Sequence, residues 1–233
     1  MNKWIYLKSH NPADALALAS VIAISEANFI IIRRSFASIF FNGLENVIID
    51  FYEQSEESEI AIIDEIDSDS WKQKCDTIAS ILGLKVNIDY KPYDGFIRQI
   101  SDVDKLIDGN NTCLLYFFPH PNQHLDLLMI DLLTRLLKQQ GVKTVSGGSN
   151  ILPCIKGTAD LRQVIDYDVL CAILPKLKFI ITTEKQISTI CEAFGKIAFV
   201  VSQIDCFTVD GLKMADENQV INYMNQKLNK LYI

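Results

Sequence analysis

Residues 179–201, FIITTEKQISTICEAFGKIAFVV, begin and end with short β-branched and aromatic runs and carry a helical pattern between them. The pattern predicts a strand over 179–181, a helix over 186–194 that stops at Gly195, and a strand over 198–201. A strand, a helix and a second strand in this order are typical of a βαβ unit, whose strands run parallel. This segment therefore places the chain in the α/β class.

The same alternation extends through the rest of the chain. In the N-terminal half it predicts strands over 4–7, 29–32, 47–50 and 60–63, helices over 12–26 and 70–82, and a short helix over 36–41. In the C-terminal half it predicts strands over 113–118 and 143–145 and helices over 125–140, 167–175 and 217–231. Turn formers and charges collect between them in residues 91–111. We therefore predict two Rossmann-like domains with parallel sheets, over 1–100 and 110–233, that face each other across a cleft.

The composition favours a folded protein without a nucleic-acid or membrane-spanning function. Of 233 residues, 49% are hydrophobic, and 22 Lys and Arg stand against 29 Asp and Glu. The longest basic run is Arg33-Arg34, and no apolar run approaches the ~18 residues of a membrane span. The N-terminus has no signal-peptide pattern, and the C-terminal helix is only weakly cationic. We expect no nucleic-acid partner and at most a peripheral contact with a membrane.

The cysteines predict a reducing environment. All six, at positions 75, 113, 154, 171, 191 and 206, lie far apart without a Cys-x-x-Cys pair, and several fall in apolar segments. Buried thiols are the simplest interpretation, and they favour a cytoplasmic protein.

Polar residues follow three of the predicted strands, at the sheet edge where ligands bind in open parallel sheets. The candidate ligand-binding residues in these loops are His10, Asn11, His120, Asn122, Gln123, His124, Thr182, Thr183, Glu184, Lys185, Gln186, Ser188 and Thr189. All three histidines of the chain lie in two of the loops. A functional site is one explanation, and the tolerance of exposed loops for histidine is the other.

Metal binding is the less favoured interpretation of the polar clusters. His120 and His124 are four residues apart, but Pro121 argues against one helix that carries both, and no carboxylate or cysteine completes a set. The triplets at residues 67–69 and 166–168, each Asp-x-Asp, have the form that holds a divalent ion with a diphosphate. Both lie at predicted helix starts, where acids are favoured as caps and by the dipole. We predict no metal site.

Two further features permit a structural and a functional interpretation. Gly147 and Gly148, in Ser-Gly-Gly-Ser, suit a tight turn after a strand and would let a ligand approach the backbone, without the spacing of a dinucleotide-binding fingerprint. Asp14 lies in the first turn of the first predicted helix, where an acid suits the helix dipole whether or not it has a chemical role.

At this point the order of elements and several local strings resemble the B-type fold of glycosyltransferases, and within it the lipopolysaccharide heptosyltransferase family that uses ADP-heptose. Residues 8–16, KSHNPADAL, match the family's loop after the first strand, which ends in Gly-Asp before a helix; Ala13 takes the place of the glycine. The family's aspartate acts as general base on the acceptor hydroxyl, so the resemblance places that role on Asp14.

The second half keeps the frame of the family but changes its donor-binding motif. Residues 179–196 correspond to a segment that runs Asp-Ser/Thr-Gly-Pro-x-His before an alanine-rich helix. In this chain the aspartate, hydroxyl residue, glycine and histidine are replaced by Glu184, Lys185, Gln186 and Thr189. The loop after the 113–118 strand also lacks the family's usual lysine.

The resemblance implies an inverting, metal-independent glycosyltransferase that needs no cofactor and serves lipopolysaccharide biosynthesis. It would transfer a hexosyl or heptosyl group from a nucleotide-diphosphate sugar, bound by the C-terminal half, to a saccharide or glycolipid acceptor on the N-terminal half. The altered motif leaves open a catalytically inactive binding or assembly protein of the same fold. The shared two-domain frame leaves open another nucleotide-sugar enzyme, such as an epimerase.

Overall fold

A computed structural model gives the fold and describes residues 3–32, 36–50, 60–85, 89–98, 100–107, 111–118, 127–149, 155–162, 164–203 and 207–229. The chain divides into two compact units. The first comprises Met1–Ile97 with Glu192–Phe194, and the second comprises Arg98–Cys191 with Gly195–Ile233.

The first unit is a parallel sheet with helices. Its elements are β1 (Lys3–Leu7), α1 (Pro12–Ala23), β2 (Phe29–Ile32), a 3-10 helix (Phe36–Phe41), β3 (Val47–Asp50), β4 (Ile60–Ile63) and α2 (Trp71–Ile81). The four strands are all parallel and lie in the order β3-β2-β1-β4, which is the order of one half of a Rossmann fold. The chain order reverses between β1 and β4, so this is the point of the sheet where ligands typically bind.

Helix α1 is buried along nearly its whole length because its sequence has no polar face. It begins at Pro12, and the Asn11 side chain accepts a hydrogen bond from the Ala13 amide, which caps the first turn. Alanine, leucine and isoleucine occupy most of its remaining positions. Asp14 is its one charged residue and is also buried, so it requires a partner inside the unit.

The second unit is larger. Its elements are α3 (Ser101–Leu106), β5 (Thr112–Phe117), α4 (Leu127–Gln139), β6 (Lys143–Gly148), β7 (Ala159–Asp160), α5 (Tyr167–Ile173), a 3-10 helix (Leu174–Lys176), β8 (Phe179–Thr182), α6 (Lys185–Ala193), β9 (Ala198–Gln203), β10 (Phe207–Val209), β11 (Leu212–Lys213) and α7 (Glu217–Asn229). The sheet order is β11-β10-β9-β8-β5-β6-β7. Its parallel part, β9-β8-β5-β6-β7, again follows the Rossmann order, and the chain order reverses between β5 and β8.

The core of the second unit lies between this sheet and the helices α4 and α7. Strands β5, β8 and β9 contribute buried residues such as Leu115, Ile181 and Phe199, and the two helices contribute Leu133, Val220 and others. The rings of Phe179 and Phe199 meet edge to face with their centroids 5.5 Å apart.

Most predicted elements are confirmed, with differences of a few residues at their ends. One difference concerns β6, which was expected to stop before Ser146 but continues through Gly148. Gly147 packs so closely that an added Cβ would lie 2.9 Å from Tyr116 Cδ2. Gly148 has a φ of +89°, and a Cβ there would overlap the Phe117 carbonyl oxygen. Both glycines are therefore required by the packing of β6 against β5.

A second difference is an antiparallel hairpin at the edge of the second sheet, which the sequence analysis does not predict. Strand β10 pairs antiparallel with β9 on one side and with β11 on the other. A two-residue turn, Asp210-Gly211, with φ values of 52° and 77°, connects β10 to β11. Positive φ at both positions is the signature of a type I′ turn, which asparagine or aspartate followed by glycine favours. The second sheet is therefore parallel from β9 to β7, as expected, with an antiparallel hairpin added at one edge.

Helix α3 is also absent from the sequence prediction, which placed turn formers there. Its Asp104 forms a 2.7 Å ion pair with Lys176, and Arg98 forms a 3.0 Å ion pair with Asp168 in the first turn of α5. These contacts hold Arg98 and helix α3 against α5 and the 3-10 helix that follows it.

Among the described residues, no helix is both long enough and apolar enough to cross a membrane.

Candidate functional site

The residues that follow β1 and β4 meet at the reversal point of the first sheet. Asp14, in the first turn of α1, is completely buried. Its Oδ2 accepts hydrogen bonds from the Ser9 hydroxyl at 2.6 Å and from the Ile66 amide at 3.1 Å. Its Oδ1 lies 2.6 Å from the Nζ of Lys74. A hydroxyl, an amide and an ammonium group therefore all donate to one carboxylate.

Lys74 is a residue of this candidate site that the sequence does not single out as one. It lies on α2, is 1% exposed, and its ammonium group also donates to the Ile66 carbonyl oxygen at 2.7 Å. A signal was present, because Lys74 falls among the buried positions Trp71, Cys75 and Ile78 of the same helix. A lysine within the apolar stripe of a helix needs a buried partner, and Asp14 supplies it.

The two other candidates in the first unit have different environments. His10 is exposed, whereas Asn11 is half-buried and its side chain caps α1. Ser9, between them and β1, is buried, and its hydroxyl accepts a 3.0 Å hydrogen bond from the Asn11 amide while it donates to Asp14. The loop is thus fixed around Asp14, and a role for His10 and Asn11 in acceptor binding stays a prediction.

In the second unit, Thr183 follows β8 and is hydrogen-bonded to Phe118, which follows β5, at the point where the chain order of the sheet reverses. Its hydroxyl accepts a hydrogen bond from the Phe118 amide at 3.0 Å and lies 3.2 Å from the Phe118 carbonyl oxygen. Thr182 is fully buried, and its hydroxyl accepts a 3.0 Å hydrogen bond from the Glu184 amide. These two hydroxyls shape the turn from β8 into α6.

The remaining donor-side candidates surround the first turn of α6. Lys185 is exposed, Glu184, Gln186 and Ser188 are half-buried, and Thr189 is buried. The Ser188 hydroxyl donates to the Lys185 carbonyl oxygen at 2.7 Å. The helix start therefore presents backbone amides, the Lys185 side chain and the Glu184 carboxylate at the carboxyl edge of the sheet. The amides and the lysine attract an anion, and the carboxylate opposes it.

The other candidates are placed as follows. His120, Asn122, Gln123 and His124 lie outside the described residues. Gly147 and Gly148 are buried at the end of β6, next to β5, and their contact with a ligand stays a prediction. Within the ranges that the structure describes, His, Cys, Asp and Glu form no group of three or more that could hold a metal ion.

The second Asp-x-Asp triplet has the structural role expected of acids at a helix start. Asp168 is buried in the first turn of α5, where one oxygen accepts a 2.8 Å hydrogen bond from the Val169 amide and the other pairs with Arg98. In the first triplet, the Ser68 hydroxyl accepts a hydrogen bond from the Ser70 amide just before α2. Ser70, the residue before α2, makes no side-chain capping bond.

Solved structures resemble this chain over its whole length. The E. coli heptosyltransferase WaaC with ADP matches with a TM-score of 0.60 and 11% identity, over 99% of both chains. The E. coli ADP-heptose lipopolysaccharide heptosyltransferase II matches with a TM-score of 0.56 and 9% identity, over 100% of both. The chain has the heptosyltransferase fold. The predicted fold class, a B-type glycosyltransferase fold, is thereby confirmed.

A third structure with the heptosyltransferase fold is larger. The dodecameric iron-containing heptosyltransferase TibC in complex with ADP-D-beta-D-heptose matches with a TM-score of 0.52 and 10% identity, over 85% of this chain and 57% of its own. No protein-family model matches the sequence, and no curated protein matches it significantly. At identities this low, the shared feature is the fold.

Proposed function

We propose that this chain is a glycosyltransferase-like protein whose second unit binds a nucleotide-diphosphate sugar. The observation that carries the proposal is the match over 99% of both chains to a heptosyltransferase solved with ADP. The heptosyltransferase TibC, with the same fold, was solved with ADP-D-beta-D-heptose. An ADP sugar is therefore the first donor to test, and a saccharide or lipopolysaccharide the first acceptor.

The start of α6 supports the placement of the diphosphate. A helix N-terminus attracts anions through its unpaired amides and its partial positive charge, and exposed Lys185 adds a full charge there. The turn that leads into the helix is fixed by Thr182 and Thr183. Preorganised donors of this kind stabilise the charge that develops on a leaving diphosphate.

Transfer by this chain would be an inverting displacement without a metal ion. The acceptor hydroxyl attacks the anomeric carbon, the bond from that carbon to the diphosphate oxygen breaks, and the hydroxyl proton passes to a general base. Asp14 is our candidate for that base. Because its carboxylate is buried and holds three donors, transfer requires that a donor leaves and admits the acceptor.

A second candidate function is favoured by that same burial. If all three donors stay bound to the Asp14 carboxylate, the chain would bind the nucleotide sugar without transferring its sugar and would act as a binding or assembly protein. The altered donor-side segment also favours binding without transfer, since its motif residues are replaced by Glu184, Lys185, Gln186 and Thr189.

Calorimetric titration with ADP and ADP sugars tests the binding that both candidates share. We expect saturable binding that Lys185→Glu weakens on the order of tenfold or more, because a charge-assisted hydrogen bond contributes about 1.5–3 kcal/mol. Lys143→Glu is the matched control, since Lys143 is exposed at the opposite end of the strands of the same sheet. Absence of binding, or equal losses in both variants, would contradict the proposal. Release of ADP with and without acceptor saccharides then separates transfer from binding alone.

A further inference from the structure

The reversal point of the first sheet is filled from within by a side chain of the protein itself. In open parallel sheets this crevice is the usual place for a ligand. In this chain Lys74 reaches it from α2 and places its ammonium group between Asp14 Oδ1 and the Ile66 carbonyl oxygen, at 2.6 and 2.7 Å. The hydrogen bond that an acceptor hydroxyl would make to Asp14 is therefore already made by Lys74.

The two partners differ in how easily they can move. Asp14 lies in the first turn of α1, a helix buried on nearly all sides, and is fixed further by Ser9 and Ile66. Lys74 carries its charge on a flexible four-carbon stem. An opening of the site is therefore a movement of the lysine side chain, after which the carboxylate keeps its other two hydrogen bonds and its orientation.

Stability alone is a weak explanation for the pair. Removing two charges from water costs several kcal/mol for each ion, and apolar residues of similar volume often stabilise a protein at least as well as a buried ion pair. Apolar neighbours are available on both sides, since α1 is rich in leucine and alanine and the buried face of α2 includes Trp71 and Ile78. Stability therefore does not by itself account for the two charges.

We propose that Lys74 is an internal lock on Asp14: a positioning residue that closes the carboxylate to an incoming hydroxyl until the ion pair opens. The proposal rests on the proposed function for the role of Asp14, and on the contacts of Lys74 with Asp14 and Ile66 for the lock. It explains how a residue at the expected place of a general base is completely buried in the resting protein.

Hydrolysis of the donor tests the lock without knowledge of the acceptor. Water attacks the anomeric carbon, its proton passes to the Asp14 carboxylate, and the sugar–diphosphate bond breaks, so that free sugar and nucleoside diphosphate form. Lys74→Met removes the ammonium group and leaves an unbranched apolar side chain that is one atom shorter. We expect it to raise ADP release from an ADP sugar on the order of tenfold or more, which is a fraction of the ~10²–10⁴-fold that a general base contributes.

The controls separate the lock from a structural role. Lys74→Arg keeps a cation beside Asp14 and should stay at the wild-type rate, and Asp14→Asn/Lys74→Met should lose the gain. Lys72→Met, on the same helix, removes an exposed lysine that pairs with Asp76, and should change nothing. A folded Lys74→Met protein that binds the donor in calorimetry but hydrolyses it at the wild-type rate would overturn the lock. Absent donor binding in the wild type would instead overturn the proposed function.

A second measurement needs neither donor nor a stable Lys74→Met protein. Carbodiimide with an amine labels accessible carboxyl groups, and peptide mass spectrometry locates the label. In the folded wild-type chain, Asp14 should label far more slowly than Asp67, which is exposed before α2. Lys74→Ala or Lys74→Gln should bring the labelling rate of Asp14 towards that of Asp67. Equal rates for the two aspartates in the wild type, or no increase in a folded variant, would refute the lock.

Discussion

Lys74 extends from α2 into the interior of the first unit, where its contacts with Asp14 and with the Ile66 carbonyl join three segments of the chain. The three segments belong to different parts of the unit: Ser9 and Asp14 come after β1, Ile66 comes after β4, and Lys74 lies on α2. A charge removed from such a pair leaves the other charge buried without its partner, and this is more costly than the pair's net contribution.

Substitutions at this pair, and at a control lysine on the same helix, should lower the free energy of unfolding in a definite order. Lys74→Met should lower the free energy of unfolding by about 3–5 kcal/mol, because the Asp14 carboxylate then stays buried without its cation. Asp14→Asn/Lys74→Met should recover much of that loss, since an amide oxygen can still accept from Ser9 and Ile66. Lys72→Met should cost less than about 1 kcal/mol, as expected for an exposed pair. Chemical denaturation measures all three, and equal costs for the two lysines would show that the buried pair does not stabilise this unit.

At the scale of the elements, β4 shows that an apolar run in a parallel sheet does not reveal which of its residues are buried. Ile60-Ala61-Ile62-Ile63 is apolar throughout, as in strands covered on both faces. In the register of the sheet, Ile62 lies beside Tyr6, and Ile60 beside Trp4. Ile62 is 52% exposed and Ile63 is fully buried. One face of this sheet is thus covered by helices and the other is partly open, although both are apolar.

These two adjacent isoleucines give a matched pair of substitutions. Ile63→Ala should cost about 2–5 kcal/mol, the range for truncating a buried isoleucine, because it leaves a cavity beneath the helices. Ile62→Ala should cost about 1 kcal/mol or less, because half of the side chain already contacts water. Both lose the same β-branched side chain from the same strand, so the difference reports burial. Similar midpoints in urea for the two variants would show that the open face is covered in solution.

The sequence specified the elements well where a periodic pattern met a clear stop, as at Gly83, Gly141 and Gly195, which all have positive φ. It also placed Asp14 correctly in the first turn of α1. It did not reveal the environment of Asp14, because Lys74 lies 60 residues away: the apolar stripe of α2 marks Lys74 as buried but does not identify the residue that it pairs with. The Asp210-Gly211 hairpin does have a local signature, an aspartate followed by a glycine between two short strands.

At the scale of the whole molecule, free thiols are buried in both units. Cys75 lies in the first, and Cys113, Cys171 and Cys191 lie in the second. Loss of solvation raises the pKa of Cys75 and of Cys191 to about 12 from 9.0, and it raises the pKa of Cys113 and Cys171 as well. The thiolate, which is the reactive form, is thus disfavoured in the folded chain.

The same shifts set a pH window for stability. A thiol whose pKa is higher in the folded than in the unfolded chain contributes its full stabilisation below pH 9.0, and loses it as the pH rises towards 12, because the unfolded chain ionises first. The free energy of unfolding should therefore fall between pH 8.5 and 11, and Cys191→Ala should make that fall shallower.

Native chains should also resist iodoacetamide at pH 8 at all four positions and react after denaturation. Rapid alkylation of Cys113 or Cys191 in the native chain would mean that the second unit opens far more often than its buried core implies, since Cys113 lies on the central strand β5 and Cys191 on the buried face of α6.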